Sequence, residues 1–179
     1  SLIILALAPM VLGMPYMTLL PIFADDVLGI GNEGYGVLVA FTGVGAMTGA
    51  LAIAATSNMG RRGRNMLLLM MLFGGMLMAF SQTTNTTFAF ILLLGVGAGQ
   101  TTYMALNNTL LQTHASDEMR GRVMSVFFLN RGMVPLGTVA AGFATEFIGV
   151  QWTVTIMAGT LLALGLAAFL FLPRLRELD

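Results

Sequence analysis

Apolar residues fall into six long blocks along the 179-residue chain, parted by short polar breaks. The blocks run over about 2–23, 34–56, 66–80, 88–112, 123–147 and 152–172. Each is close to the ~20 residues with which an α-helix crosses the ~30 Å apolar core of a bilayer. The third is the shortest and can draw residues from either flank. The first contains Pro9, Pro15 and Pro21, and the last stops at Pro173. The pattern predicts an all-α membrane protein, a single bundle of six transmembrane helices.

The breaks sort by charge. Arg61, Arg62 and Arg64 fill one break, Arg120 and Arg122 the second break after it, and Arg174 and Arg176 follow the last block. The breaks between hold no Lys or Arg. They carry Asp25, Asp26 and Glu33, the uncharged stretch 81–87, and Glu146. Short loops rich in Arg stay on the cytoplasmic side. The alternation therefore predicts cytoplasmic arginine loops, a cytoplasmic C-terminus and, with an even number of spans, a cytoplasmic Ser1. Tyr35 and Trp152 fall at the opposite boundary, where aromatic belts sit. Two sets of three helices facing opposite ways match an inverted 3+3 repeat.

Composition narrows the class. The chain is 57% hydrophobic and 9% charged, with mean hydropathy +0.88. Soluble domains carry about 25% charged residues. Net charge is zero, and no basic run is long enough to bind nucleic acid. Cysteine is absent, which excludes disulfides, thiolate metal sites and a Cys nucleophile. No cofactor or metal is expected. H-E-x-x-H, G-x-S-x-G and paired intramembrane aspartates are all missing, which argues against an enzyme. Ser1 opens directly into an apolar run without a charged n-region or cleavage site, so it does not read as a signal peptide. The chain reads as a segment of a longer protein.

Arg131 is the one arginine outside those breaks and the tail, and it lies inside the fifth block. About nine residues of helix place it ~13 Å deep, near the midplane. An arginine there costs at least ~2.5–3.5 kcal/mol on insertion scales, so it must face a polar cavity or a partner. Glu146 is ~22 Å away along the same helix. A carboxylate elsewhere in the protein, an amide cluster or an anionic substrate can serve as partner. A structural arginine held by backbone carbonyls and amides is the competing reading.

The fourth block is the most polar. At 100° per residue Gln100, Tyr103, Asn107 and His114 share an arc of about 60°. An amide stripe on a membrane helix looks into the bundle or into water. It is either a cavity wall or a set of interhelical hydrogen bonds, worth ~0.6 kcal/mol each. Asn130, beside Arg131, can join the same patch. His114 lies near the cytoplasmic end and reads as a solvated boundary residue rather than a proton relay. Gly45 with Gly49, and Gly95 with Gly99, form small-xxx-small steps that let helices approach. Pro15 and Pro135 should kink the first and fifth spans, as gating elements require. The scattered methionines suggest no metal path.

The stretch N-N-T-L-L-Q-T-H-A-S-D-E-M-R-G-R-V-M-S-V, Asn107 to Val126, followed by P-L-G-T-V-A-A-G, Pro135 to Gly142, resembles the C-terminal half of major facilitator superfamily transporters. It is most similar to the enterobactin-exporter-like, drug-efflux branch. M-G-R-R-G-R-N, Met59 to Asn65, resembles the second copy of the family's loop motif G-x-x-x-D-R-x-G-R-R, with Gly60 or Ser57 where the motif has Asp. That Asp's charge-relay role is therefore not transferred. Gly60, Arg61, Arg62, Gly63 and Arg64, with Arg120, Gly121 and Arg122, remain as cytoplasmic loop elements that can reach lipid phosphates.

The resemblance implies spans seven to twelve of a twelve-helix bundle in a bacterial inner membrane, with an N-terminal six-helix half absent here. It implies alternating access around a midplane site for a small amphipathic or anionic substrate, export, and proton exchange as the driving reaction. Arg131, Asn130, Gln100, Tyr103 and Asn107 are the cavity candidates. The partners expected are the lipid bilayer, the N-terminal half, the substrate and protons. Two rivals stand beside this reading: a self-contained six-span protein that dimerises, and a non-transporting sensor or assembly partner on the same scaffold.

Overall fold

The computed structural model describes residues 8–55, 62–113 and 120–172, with backbone alone for 111–113, 120–131 and 133. Every described element is helical. We number the spans α1 (Pro9–Val27), α2 (Gly31–Ala55), α3 (Arg62–Gln82), α4 (Thr86–Thr113), α5 (Arg120–Ile148) and α6 (Val150–Phe171). Five of them hold a window apolar and long enough to cross a bilayer, and the well-described part of α5, Val134–Ile148, is a shorter apolar helix. The chain is an all-α, multi-pass membrane bundle. Leu136, Val139, Phe143 and Phe147 on α5, and Trp152, Ile156 and Phe171 on α6, are exposed. Such surface belongs in hydrocarbon, not in water.

Helix bounds depart most from the block pattern in α3 and at the end of α1. α3 runs from Arg62 to Gln82 rather than over 66–80. Arginine stems extend it at one end. At the other, Ser81 and Gln82 are held by Thr155 of α6, with Oγ–Oγ1 at 2.7 Å and Nε2–Oγ1 at 2.5 Å. α1 continues past Phe23 to Val27, because Asp25 and Asp26 lie on an exposed final turn and do not break it.

α1 is not a uniform helix. A π-turn at Pro9–Gly13 leads through Met14 and Pro15 into an α-segment, Tyr16–Ile22, and a second π-turn closes it at Phe23–Val27. Three prolines six residues apart remove N–H donors from the i→i−4 ladder, and wider turns accommodate the loss. α5 instead runs through Pro135 as a helix. Asn85 caps α4: its Oδ1 accepts from the N–H groups of Thr87 at 3.0 Å and Phe88 at 3.3 Å. Gly149, at φ 79°, makes the one-residue turn from α5 into α6.

Packing rests on backbone contact. α2 lies along α4, and α3 lies between α4 and α6. A Cβ on Gly45 would strike the Leu94 carbonyl, and one on Gly97 the Thr42 carbonyl. At Gly49 it would fall 2.6 Å from the Ala98 oxygen. Hydrogen in place of a methyl lets the two backbones touch along this seam, which maximises dispersion where lipid supplies no hydrophobic drive. Thr102 Oγ1 donates to the Gly49 carbonyl at 3.2 Å across it. Gly95 and Gly99 face α3 instead, against Met76 and Phe73. Gly97, the glycine that meets α2, lies between the two positions singled out by spacing.

Candidate functional site

A polar part of the described interior is built on α4 and α1. Gln100, Tyr103 and Asn107 sit at i, i+3 and i+7, so α4 presents them on one face. Tyr103 is 2% exposed and Asn107 6%, and Gln100 is half-buried. Polar groups placed there need partners, since neither water nor lipid satisfies them.

Gln100 finds its partners on α1. The Tyr16 hydroxyl donates to Gln100 Oε1 at 3.3 Å, and Gln100 Nε2 donates to Met14 Sδ at 2.8 Å. Met14 and Tyr16 flank Pro15, where the π-turn gives way to the α-segment. Irregular backbone thus aims two side chains at one amide. Tyr16 also lies beside the Thr42 side chain of α2, and its ring meets Phe73 of α3 edge-on at 6.4 Å. One tyrosine thereby ties α1 to three helices. Spacing on α4 points to Gln100, but Met14 and Tyr16 were not anticipated. The available signal was a polar aromatic within a proline-rich block.

Asn107 is different. Its Oδ1 is fully buried and has no hydrogen-bond partner. Leaving such an acceptor unsatisfied costs ~1–3 kcal/mol, so it is either strain or a place for a donor from outside the chain. Tyr103 sits one turn away and is engaged within the bundle.

Arg131 and Asn130 lie on α5, and only their backbone is described. Arg131 is seventeen residues from Ile148, and Tyr103 is seventeen residues from Thr86. α4 and α5 are antiparallel neighbours in sequence, so these helix ends lie on one side of the bundle. Both residues are thus ~25 Å of helix from that side. Pro135 has no N–H to give the Arg131 carbonyl four residues earlier. The Arg131 carbonyl therefore lacks its usual helical donor.

α5 meets α1 one and a half turns further on. A Cβ at Gly137 would strike the Val11 carbonyl and fall 3.1 Å from Pro15 Cγ. Val11 is itself four residues before Pro15, so its carbonyl also lacks the usual helical donor. Two prolines and one glycine make this crossing. It joins the broken part of α1 to the helix that carries Arg131.

Among the loop residues, Arg62 and Arg64 are half-buried at the start of α3 and Gly63 is buried. Arg120, Gly121 and Arg122 open α5, with backbone alone described. Gly60, Arg61, His114, Arg174 and Arg176 lie outside the described residues.

Comparison with known proteins gives two matches. A family model described as a transmembrane secretion effector, within the major facilitator superfamily, matches residues 2–179. The staphyloferrin A transporter of Staphylococcus aureus (strain NCTC 8325 / PS 47) is 26% identical over 154 residues, covering 86% of this chain and 38% of that protein. The chain thus spans well under half the length of the curated relative it matches. No solved structure matches.

Proposed function

The chain belongs to the transmembrane secretion effector family of the major facilitator superfamily, and from that premise we propose that it forms one six-helix half of a secondary-active transporter. In this reading an N-terminal six-helix half completes the protein, and cargo binds near the midplane between the two. The membrane is the bacterial cytoplasmic membrane. The arginine-bearing loops face the cytoplasm, because Arg at short loops resists translocation.

The observation that carries the proposal is the polar seam Tyr16–Gln100–Tyr103–Asn107, reached by discontinuous α1 and level with Arg131 of α5. A structural bundle gains nothing from an unpartnered amide oxygen at Asn107. A cargo N–H or O–H would satisfy it. Broken helices at a midplane site are the usual architecture for such binding. Arg131 would select a small amphipathic molecule bearing a carboxylate, and its fixed charge would hold that group. The relative is a transporter of staphyloferrin A by name, which supports a cargo of the small-molecule class. Export and proton exchange are carried by the family resemblance. No described acid stands beside the seam, so a coupling carboxylate would come from the other half.

The test is efflux of a fluorescent anionic amphiphile, fluorescein, from cells expressing the protein from its whole reading frame, with cationic ethidium as the comparison. Efflux of fluorescein that stops when the proton gradient is collapsed is expected. Gradient-independent leakage, or no flux above empty cells for either dye, overturns the proposal.

A further inference from the structure

Gln100 is held by two partners that differ in kind. The Tyr16 hydroxyl donates to Oε1, while Met14 Sδ accepts from Nε2. A thioether cannot donate, and it accepts weakly. The sulfur therefore fixes which end of the amide faces it, and it holds that end by a weak bond. Met14 and Tyr16 are two residues apart, and in a regular helix they would point about 200° from one another. The change from π-turn to α-segment around Pro15 brings both to one amide.

The two partners also differ in freedom. Tyr16 is buried, its ring set edge-on against Phe73 and its hydroxyl beside Thr42. It cannot leave the amide without displacing side chains of α2 and α3. Met14 is half-buried. Its backbone is satisfied on both sides: its N–H donates to the Pro9 carbonyl at 3.0 Å, and its carbonyl accepts from the Met17 N–H at 3.2 Å. Its side chain is unbranched and adaptable. Withdrawing Sδ thus takes a rotamer change and no movement of the backbone. The amide is open on the side where the sulfur sits.

We infer that Met14 is a placeholder for a cargo oxygen: its Sδ occupies the Gln100 N–H until a carbonyl or carboxylate oxygen of the cargo takes that donor. The inference rests on the functional reading above and assigns a part of the cargo to Gln100. The exchange runs downhill. An oxygen accepts more strongly than a thioether, and a carboxylate forms a bond roughly twice as strong as a neutral one. Cargo without an acceptor oxygen would displace the sulfur and leave the amide donor unmade, at a cost. The pair therefore selects oxygen-bearing cargo near the middle of α4. Met14 acts through Gln100 and is a positioning residue, which keeps the donor aimed while the site is empty.

The test measures KM for fluorescein with the whole protein in proteoliposomes under an imposed proton gradient. Met14→Leu nearly conserves volume and removes the acceptor, so cargo no longer has to displace it. KM is expected to fall about threefold, the worth of one average intramembrane hydrogen bond. Met14→Gln offers the same N–H a stronger acceptor and should raise KM by about threefold or more. Folded yield should follow neither change. A residue that only fills space would move both variants the same way, so a KM that rises in both, or stays put in either, overturns the placeholder. With Gln100→Leu already in place, neither substitution should alter KM. Equal shifts there would mean that the effect bypasses the amide and would overturn it too. Should Met14→Leu fail to fold, Met14→Gln decides alone, by a rise in KM with Gln100 present and none without it. No transport of fluorescein by the unsubstituted protein would sink the functional reading and this inference with it. Transport with an unmoved KM sinks the placeholder only.

Discussion

Replacing Gln100 by leucine separates the two readings of the polar seam. Gln100→Leu keeps the side chain's approximate volume and removes both its contacts, the Tyr16 hydroxyl at 3.3 Å and Met14 Sδ at 2.8 Å. Interhelical polar contacts in membranes average ~0.6 kcal/mol, so two are worth about 1.2 kcal/mol. The leucine is half-buried and recovers part of this through packing. The net loss is under ~1 kcal/mol, or less than about 2–4 °C in Tm for a bundle this size. Folded yield should barely change. If the seam is also the cargo wall, fluorescein efflux per folded molecule should fall at least tenfold, about 1.4 kcal/mol of lost transport free energy. Efflux is measured in cells, folded protein by detergent size exclusion, and Tm by thermal unfolding. Efflux and folded yield falling by one common factor would refute the cavity role and leave Gln100 as helix glue. Tyr16→Phe refines the result. It deletes one contact, and its double-mutant coupling with Gln100→Leu should be about 0.6 kcal/mol.

Gly49→Ala must move Ala98 O from 2.6 Å to an ordinary contact beyond 3.4 Å, which parts α2 from α4 and strains the Thr102 bond. A cost of about 1–3 kcal/mol should appear as a Tm drop of several degrees, and an unchanged Tm would show that the seam is looser than described. Gly137→Ala, set against the Val11 carbonyl and the Pro15 ring, should cut efflux more than Tm if the α1–α5 crossing moves during transport. A proportional loss in both would mark it as a static contact. Arg131→Ala should abolish efflux of fluorescein while leaving expression near that of the unsubstituted protein, and equal loss of both would make the arginine structural. Asn107→Leu removes a buried acceptor that has no donor, so Tm should hold or rise by a few degrees while efflux falls. A fall in Tm would mean that the amide is satisfied within the protein.

Much of this molecule is written in one dimension. Hydrophobic blocks near the length of a bilayer, and seven of eight arginines gathered in alternate breaks and the tail, determine an all-α multi-pass bundle, because lipid forbids unpaired backbone and penalises charge. The polar face of α4 is equally legible, since helical periodicity alone brings Gln100, Tyr103 and Asn107 together. Proline positions announce that α1 is irregular. They do not say that the irregularity takes the form of π-turns, or that it aims Met14 and Tyr16 at Gln100. That depends on which helix lies opposite, and neighbours are a tertiary property. The same holds for the glycines. Spacing marks Gly95 and Gly99 as small steps, yet Gly97 meets α2 while the other two meet α3, because crossing angle and rotation decide which face a glycine presents. Arg64 reads in sequence as one arginine among three in a loop. Only packing leaves its Nε buried and without a hydrogen bond. Hydrophobicity and helical period are local and survive in the string of residues. Orientation between helices is set by close packing over long sequence separations, and only the folded bundle decides it.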